Sequence, residues 1–447
     1  MNKTVLRVLV AIVLFLPTGC APPAPVATHE KPEPQPPVAT AVAEATEPQL
    51  FEPGAFDSPS SCTGCHREIH AEWSKSMHAS AWENPWYQDD FLLAHKETDG
   101  ATDMLCGPCH APIAARTGQL PPADGSAFDA TSRRGISCDF CHTVTGVEQL
   151  YNMGHVSEPG PVKRGPREDG ESLYHDIEFS QTHTQAELCG ACHMVVHPAN
   201  GVHIIDTYED WRTNAYGQQG TTCQDCHMTP GPGVTQRPGR SALMGIPRDN
   251  IAFHGFIGGG SYIQEAMGHT EQAQLSREFL KAAAVVELSD VVGEDGTLEL
   301  TVDVRNVGAG HKIPTGTAYI RKMWLQVEVL DQAGQQVFRS GHILDNNHVD
   351  PAATFFRLLF LDDQGRLTGK SWRAQAIGYD RRIPANGKET EVYRIPLPDQ
   401  GAYTVTTRLM YRSFTQATLD EIAQRSGHAV PPAESVEMAR AQLNVRY

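Results

Sequence analysis

The stretch Cys189-Gly190-Ala191-Cys192-His193 has the spacing C-x-x-C-H, and the 447-residue chain contains four further copies. These copies occupy residues 62–66, 106–110, 138–142 and 223–227. Residues at i, i+3 and i+4 share one face of a helical turn, so two thiols and one imidazole can meet the same flat macrocycle. The spacing predicts c-type haem attachment, in which the cysteines bond to the porphyrin and the histidine binds iron.

Zinc knuckles and thioredoxin-like redox pairs are the two alternatives, because both also use cysteines two residues apart. Neither requires a histidine directly after the second cysteine, yet all five pairs have one although the chain has only 20 His. Ten of the 11 cysteines lie in these pairs. The favoured interpretation is therefore five covalent haems. The histidine of each motif is the predicted proximal iron ligand. The predicted cofactor-binding residues are Cys62, Cys65, His66, Cys106, Cys109, His110, Cys138, Cys141, His142, Cys189, Cys192, His193, Cys223, Cys226 and His227.

The charge of the chain restricts its partners. The formal net charge is −17, with 40% hydrophobic residues, and each haem would add two propionates. Repulsion from phosphate argues against nucleic acid and against direct binding to an anionic membrane surface. The expected partners are redox proteins, either other cytochromes or a membrane quinol-oxidising complex.

The N-terminus predicts export. In residues 1–19 two basic residues precede a nine-residue apolar run, which is too short for a membrane span and is typical of a signal peptide. Small residues before Cys20 resemble a bacterial lipobox, whose cysteine is acylated, although Pro17 stands where leucine is usual. Ordinary secretory cleavage that leaves a spare thiol is the alternative.

Residues 20–52 are rich in Pro and Ala and predict a disordered tether. Together with lipidation of Cys20, the tether predicts a periplasmic, outer-membrane or cell-surface lipoprotein that meets the membrane only through its anchor.

The folded part divides into two regions that differ in composition and in hydrophobic pattern. Residues 53–272 are dense in His, Gly, Pro and Cys and predict a pentahaem domain of short helices and loops, with one amphipathic helix over residues 69–82. In residues 273–447 apolar and polar residues alternate over 298–304, 325–329 and 403–411, and residues 436–445 are predicted as a last strand. These strands predict an antiparallel β-sandwich, with one short helix capped by Thr418 and Glu421. The predicted fold class is therefore α+β multidomain.

Four segments resemble those of a known family. Residues 73–79 (WSKSMHA), 135–142 (GISCDFCH), 222–228 (TCQDCHM) and 308–316 (GAGHKIPTG) are similar to segments of bacterial multihaem c-type cytochromes. In that group a cytochrome c-552/c-554-like haem domain precedes a β-sandwich with a GHxxPTG loop. The resemblance spans about residues 58 to 345.

The resemblance implies distal iron ligands, which would lie opposite the motif histidines. The implied residues are His78, His175, His183, His254 and His311, of which His311 would reach the haem domain from the sandwich. Without the resemblance, a single histidine in a loop is more often a solvated side chain. His155, His197, His203 and His269 are weaker candidates.

Three functions are compatible with the sequence. Histidine on both faces of each iron would give an electron carrier, which is the leading hypothesis, whereas one five-coordinate haem would give an oxidoreductase for a small nitrogen or sulfur compound. All five motifs end in His, which argues against pentahaem nitrite reductases with their CxxCK motif. The third function is a docking role for the sandwich, which could coexist with electron transfer.

Overall fold

The computed structural model describes residues 49–447. The predicted signal peptide, Cys20 and most of the predicted tether lie outside the described residues. None of the helices in the described part is long and apolar enough to cross a membrane.

The first region consists of short helices joined by loops and three two-stranded sheets. Its helices are α1 (Pro59–Cys62), α2 (Arg67–Ser74), α3 (Pro85–Thr98), α4 (Asp103–His110), α5 (Pro112–Arg116), α6 (Cys138–His142), α7 (Glu187–His193), α8 (Thr207–Arg212), α9 (Ala215–Gln218), α10 (Cys223–His227), α11 (Ser261–Ala266) and α12 (Thr270–Ala283). The sheets pair β1 (Val144–Gln149) with β2 (Gly154–Ser157), β3 (Val162–Gly165) with β4 (Asp176–Phe179), and β5 (Val195–Val196) with β6 (His203–Ile205).

Helix α3 carries side chains towards the motifs, and local chemistry defines both of its ends. Asn84 is the N-cap and its side chain accepts a hydrogen bond from the amide of Trp86 at 3.0 Å, while Pro85 supplies a preset backbone angle at the first position. Asp99 ends the helix in the left-handed conformation with φ of 51°.

The second region is built from antiparallel strands. They are β7 (Ala284–Val292), β8 (Thr297–Asn306), β9 (Lys322–Asp331), β10 (Gln336–Ser340), β11 (Phe355–Phe356), β12 (Leu358–Leu361), β13 (Leu367–Thr368), β14 (Ala376–Asp380), β15 (Lys388–Pro396), β16 (Ala402–Arg412) and β17 (Val436–Arg446), with helix α13 (Gln416–Ser426) between the last two. The sheet orders are β10-β9-β16-β17 with β11 beside β9, β15-β8-β7, and β13-β12-β14.

The two larger sheets share one apolar core. Side chains alternate between buried and half-buried along β8, and the buried set includes Leu298, Leu300 and Val302. They belong to the same cluster as Leu325 of β9 and Val405 of β16. The strands predicted over 298–304, 325–329, 403–411 and 436–445 are confirmed by β8, β9, β16 and β17.

Two sequence-based helix boundaries are wrong, and the predicted division between the regions falls inside a helix. The helix predicted over 69–82 ends at Ser74, because the chain turns to place the carbonyl of His78 where it accepts the amide of Ile136 at 3.0 Å. The cap of α13 is Thr415, whose hydroxyl accepts the amide of Thr418 at 3.1 Å, three residues earlier than predicted. The division at 272/273 falls inside α12, which runs directly into β7 and contributes Leu280 to the apolar core.

We predict that Leu300→Ala lowers the free energy of unfolding by about 2–5 kcal/mol, because it leaves a cavity in the shared core. Val291→Ala is the matched control on the same sheet, since Val291 is 67% exposed, and its cost should stay below about 0.5 kcal/mol. Denaturant unfolding measures both. Equal losses of unfolding free energy in the two variants would contradict the placement of the core.

Candidate functional site

The five motifs adopt the helical geometry that their spacing predicts. Four of them end a helix at the histidine, namely in α4, α6, α7 and α10. The first motif begins at Cys62, the last residue of α1, and continues as a turn in which the amide of His66 donates to the carbonyl of Cys62 at 2.9 Å. Gly190 lies against the ring of Tyr208, where an added Cβ would come within 2.4 Å of the ring, so this position requires glycine.

All five motifs line one continuous cavity. Its volume is about 2810 Å³, and every cysteine and histidine of the five motifs contributes to its wall. A pocket for one drug-sized ligand measures about 300–1,000 Å³, so this cavity has room for several large groups. Part of the wall comes from the second region, through residues 308–323.

Cysteines of different motifs contact one another. The side chains of Cys62 and Cys138 are neighbours, and so are those of Cys109 and Cys192 and those of Cys189 and Cys223. The first motif therefore lies beside the third, and the fourth lies beside both the second and the fifth. Groups bonded to these sulfurs would come edge to edge in an order that differs from the order along the chain.

Backbone carbonyls orient four motif histidines. The Nδ1–H of His66 donates to Ser241 O at 2.7 Å and that of His110 to Ala81 O at 3.0 Å. His142 and His227 donate in the same way to Arg164 O at 2.6 Å and Ile257 O at 2.5 Å. A hydrogen bond at one ring nitrogen fixes the tautomer and leaves Nε2 for a metal, as in most metal-bound histidines.

A second histidine faces four of the motif histidines. Two imidazoles on one metal ion, each with a metal–nitrogen bond of about 2 Å, have ring centres about 6 Å apart. Each of the four pairs has this separation. The ring-centre distances are 6.3 Å for His66 and His175, 6.3 Å for His193 and His78, 6.4 Å for His142 and His254, and 6.2 Å for His227 and His311.

Burial favours the neutral state that metal binding requires in four of the paired histidines. Burial lowers the pKa of His78 to about 3, and burial lowers those of His193 and His254 to about 4. Burial also lowers the pKa of His311, with a further contribution from the charge of His227. These rings do not compete with protons for a metal near neutral pH.

His110 and His183 are arranged differently. Within the described residues no imidazole lies across from His110, and the ring parallel to it belongs to Tyr87, whose centre is 3.6 Å away. Tyr87 therefore covers the face of the His110 ring and is not placed as a second ligand across a metal bound in the ring plane at Nε2. His183 lies beside His142 at 5.6 Å, and its Nε2 is engaged by a hydrogen bond to Cys141 O. It makes no ring contact with His110.

Comparisons with known proteins identify the first region. Residues 61–143, which hold three of the five motifs, match the sequence model of the family cytochrome c554 and c-prime. A penta-haem cytochrome c552 from Thermochromatium tepidum has the same fold at 21% identity, with a TM-score of 0.62 over 88% of this chain and 100% of that chain. The family match and the shared fold support a multihaem cytochrome c domain in this region.

Two other comparisons add nothing to the assignment. The CARDB domain of the PF1109 protein from Pyrococcus furiosus matches at 11% identity over 37% of this chain and 84% of that chain. Its TM-score is only 0.17, so this likeness carries no argument. No curated protein matches the sequence.

The cytochrome domain fits covalent haem c, the cofactor of its family. Besides thiols and imidazoles, the cavity wall contains buried polar atoms without a hydrogen-bond partner in residues 49–447. Unsatisfied buried groups are costly, and the carboxylates of bound haem are acceptors that such donors would satisfy. The donors among these atoms are Nη1 of Arg164 and the hydroxyls of Tyr87 and Ser137.

Sequence reasoning missed the groups that orient the histidines. Ser241, Ala81, Arg164 and Ile257 act through their carbonyl oxygens, which every residue possesses, so residue type gives no indication of this role. Tyr87 was also missed, although its position in the first turn of α3 predicts only packing.

We predict that changing Cys189 and Cys192 together to serine removes one covalent haem from the cytochrome domain, because these thiols lie on one face of α7. Intact-mass spectrometry of the denatured protein should show the loss of one haem mass. The matched control is Cys20→Ser, which should keep the full number of covalent haems. An unchanged number in the double variant would contradict attachment at this motif.

Proposed function

We propose that the chain is a multihaem c-type cytochrome that carries electrons through five covalently bound haems. The observation that carries this proposal is that all five motifs line one cavity, with four motif histidines each facing a second histidine at 6.2–6.4 Å. Haem with imidazole on both faces supplies one-electron redox chemistry without a change of ligands.

The residues of the chain would fix the distance between neighbouring haems. The contact between Cys62 and Cys138 supports a path from the first motif to the third. The contacts of Cys109 with Cys192 and of Cys189 with Cys223 support links from the fourth motif to the second and to the fifth. Cys141 and Cys192 pack against the same apolar cluster, which supports continuation from the third motif to the fourth. From there the path would branch to the second and the fifth.

The cellular setting is also a proposal. An N-terminal lipid on Cys20, the Pro-rich tether and a formal charge of −17 support an exported protein that exchanges electrons with another cytochrome or a quinol-oxidising complex. The shared core of the two larger sheets supports a β-sandwich as the second region, which would contribute His311 and a docking surface.

We predict four low-spin haems and one high-spin haem in the oxidised protein. His311→Ala should convert a second haem to high spin, because the iron bound by His227 loses its opposite imidazole. Electron paramagnetic resonance measures both states. His428→Ala is the matched control, since His428 is an exposed histidine of the same region, and it should leave the spectrum unchanged. Five low-spin haems in the wild type would contradict the assignment at His110.

A second candidate function is the reduction of a small nitrogen or sulfur compound at the haem held by His110. The observation that favours it is the missing imidazole across from this histidine within residues 49–447. The cavity wall there includes Tyr87, Asp90 and, from the second region, Tyr319. Burial raises the pKa of Asp90 to about 6 against the opposing charge of Arg425, so this carboxyl can hold a proton close to neutral pH.

We predict that nitrite, hydroxylamine and carbon monoxide each shift the absorption spectrum of one haem only. Tyr87→Phe should change the affinity for these ligands by several-fold, because it removes a buried hydroxyl that has no other partner in the described part. Tyr379→Phe is the control, since the hydroxyl of Tyr379 donates to Phe355 O at 2.8 Å. No shift with any of the three ligands would exclude this candidate.

A further inference from the structure

The loop of residues 308–316 in the second region contacts the segment of residues 206–221 in the cytochrome domain. The loop contains His311, whose ring is 6.2 Å from that of His227 at an interplanar angle of 12°. The segment leads directly into the fifth motif, which contains His227. We propose that Asp210 and Asn214 of this segment are positioning residues that hold His311 opposite His227. This inference rests on the proposed function, which pairs these two histidines on one iron.

Asp210 fixes the peptide that follows His311. Its Oδ2 accepts the backbone N–H of Lys312, and its Oδ1 lies 3.3 Å from Nζ of the same residue. The carbonyl of Lys312 in turn accepts the Nδ1–H of His311 at 2.9 Å. The residue that orients the His311 ring is therefore held at its amide and at its ammonium group by one carboxylate. Hydrogen bonds that involve a charged partner are among the stronger ones in proteins.

Asn214 fixes the residue that precedes His311. Its Nδ2 donates to the carbonyl of Gly310 at 2.7 Å, while its Oδ1 accepts the amide of Tyr216 at 2.8 Å and caps α9. Gly310 lies against the ring of Tyr216, where an added Cβ would be 3.1 Å from Cγ. The absence of a side chain lets the loop approach the segment closely. The backbone is thus held on both sides of His311.

Outer contacts hold the ends of the same interface. The hydroxyls of Thr207 and Thr315 are 2.8 Å apart, and Arg382 donates to both carboxylate oxygens of Asp206 at 2.6 and 2.7 Å. The side chain of Arg382 is only 1% exposed. Burial alone would raise the pKa of Asp206, but the hydrogen bonds and charge of Arg382 and the charge of Lys312 lower it. Buried ion pairs favour one geometry, because a displaced charge is left unpaired in a poorly solvated place.

The segment is also tied to two haem motifs. Nε1 of Trp211 donates to Thr221 O at 2.8 Å, immediately before the fifth motif. The hydroxyl of Tyr208 donates to Glu187 at 2.9 Å, and its ring packs on Gly190 of the fourth motif. One short segment therefore sets the position of His227 along the chain and of His311 across the domain interface. A shift of about 1 Å would be enough to break a metal–nitrogen bond whose length is about 2 Å.

The test uses full-length protein with its haems and compares four variants with the wild type. Asn214→Asp removes the donor to Gly310 but keeps the oxygen that caps α9, and Asp210→Ala removes the acceptor for Lys312. His311→Ala reports complete loss of the ligand. Glu97→Ala is the matched control, because Glu97 accepts hydrogen bonds from Trp372 at 2.6 Å and Arg373 at 2.8 Å across the same two regions without contacting the 308–316 loop.

Electron paramagnetic resonance and carbon monoxide difference spectra count the haems that lack a sixth ligand. We expect the double variant Asp210→Ala/Asn214→Asp to approach the high-spin content of His311→Ala, which is one haem more than the wild type, and added imidazole to reverse the change. Glu97→Ala should match the wild type. Total haem content and circular dichroism show whether the double variant folds. If it does not, Asn214→Asp alone is compared with Glu97→Ala and should show a partial increase in high-spin haem.

Three outcomes would overturn the proposal. If His311→Ala gains a high-spin haem but the double variant does not, the pairing stands and the positioning role is wrong. If Glu97→Ala changes the spectrum as much as the double variant does, any interface contact would suffice and the segment has no special role. If His311→Ala leaves the spectrum unchanged, the pairing of His227 with His311 fails, and the positioning role fails with it.

Discussion

The structure depends on one geometric constraint, which is that two thiols and an imidazole must share a face while a second imidazole stands about 6 Å beyond the first. A C-x-x-C-H helical turn meets the first half of this constraint with five residues. The second half needs a residue from elsewhere in the chain. In the pairs of His227 with His311 and of His193 with His78, the second histidine comes from a segment remote in sequence. The loops of the cytochrome domain and its contact with the β-rich region serve to bring such segments together.

Burial and hydrogen bonding act together on these histidines. A buried imidazole loses its proton easily, and burial lowers the pKa of His78 to about 3 and that of His110 to about 4. Carbonyl oxygens such as Ala81 O then determine which nitrogen faces the cavity. The chain thus combines ten thiols in five pairs with neutral, oriented imidazoles. The cavity wall also contains buried donors that haem carboxylates would satisfy.

The parts of the fold that depend on local spacing were predictable, and the parts that depend on tertiary contacts were not. The alternation in 298–304 and 403–411 predicted strands because one face of each is buried in a shared core. The helix predicted over 69–82 stops at Ser74 because a hydrogen bond between His78 and Ile136 draws the chain away. At the site, spacing alone identified the motif residues. The positions of His183 beside His142 and of Tyr87 beside His110 depend on packing between elements, which no local pattern encodes.

The central claim is that five irons occupy one cavity and that four of them lie midway between paired histidines. Anomalous diffraction at the iron absorption edge from crystals of the haem-loaded protein tests it most directly. The account predicts five iron peaks, four of them centred between His66 and His175, His193 and His78, His142 and His254, and His227 and His311, with the fifth beside His110. Fewer than five peaks, or a peak coordinated by His183 in place of His254, would contradict it.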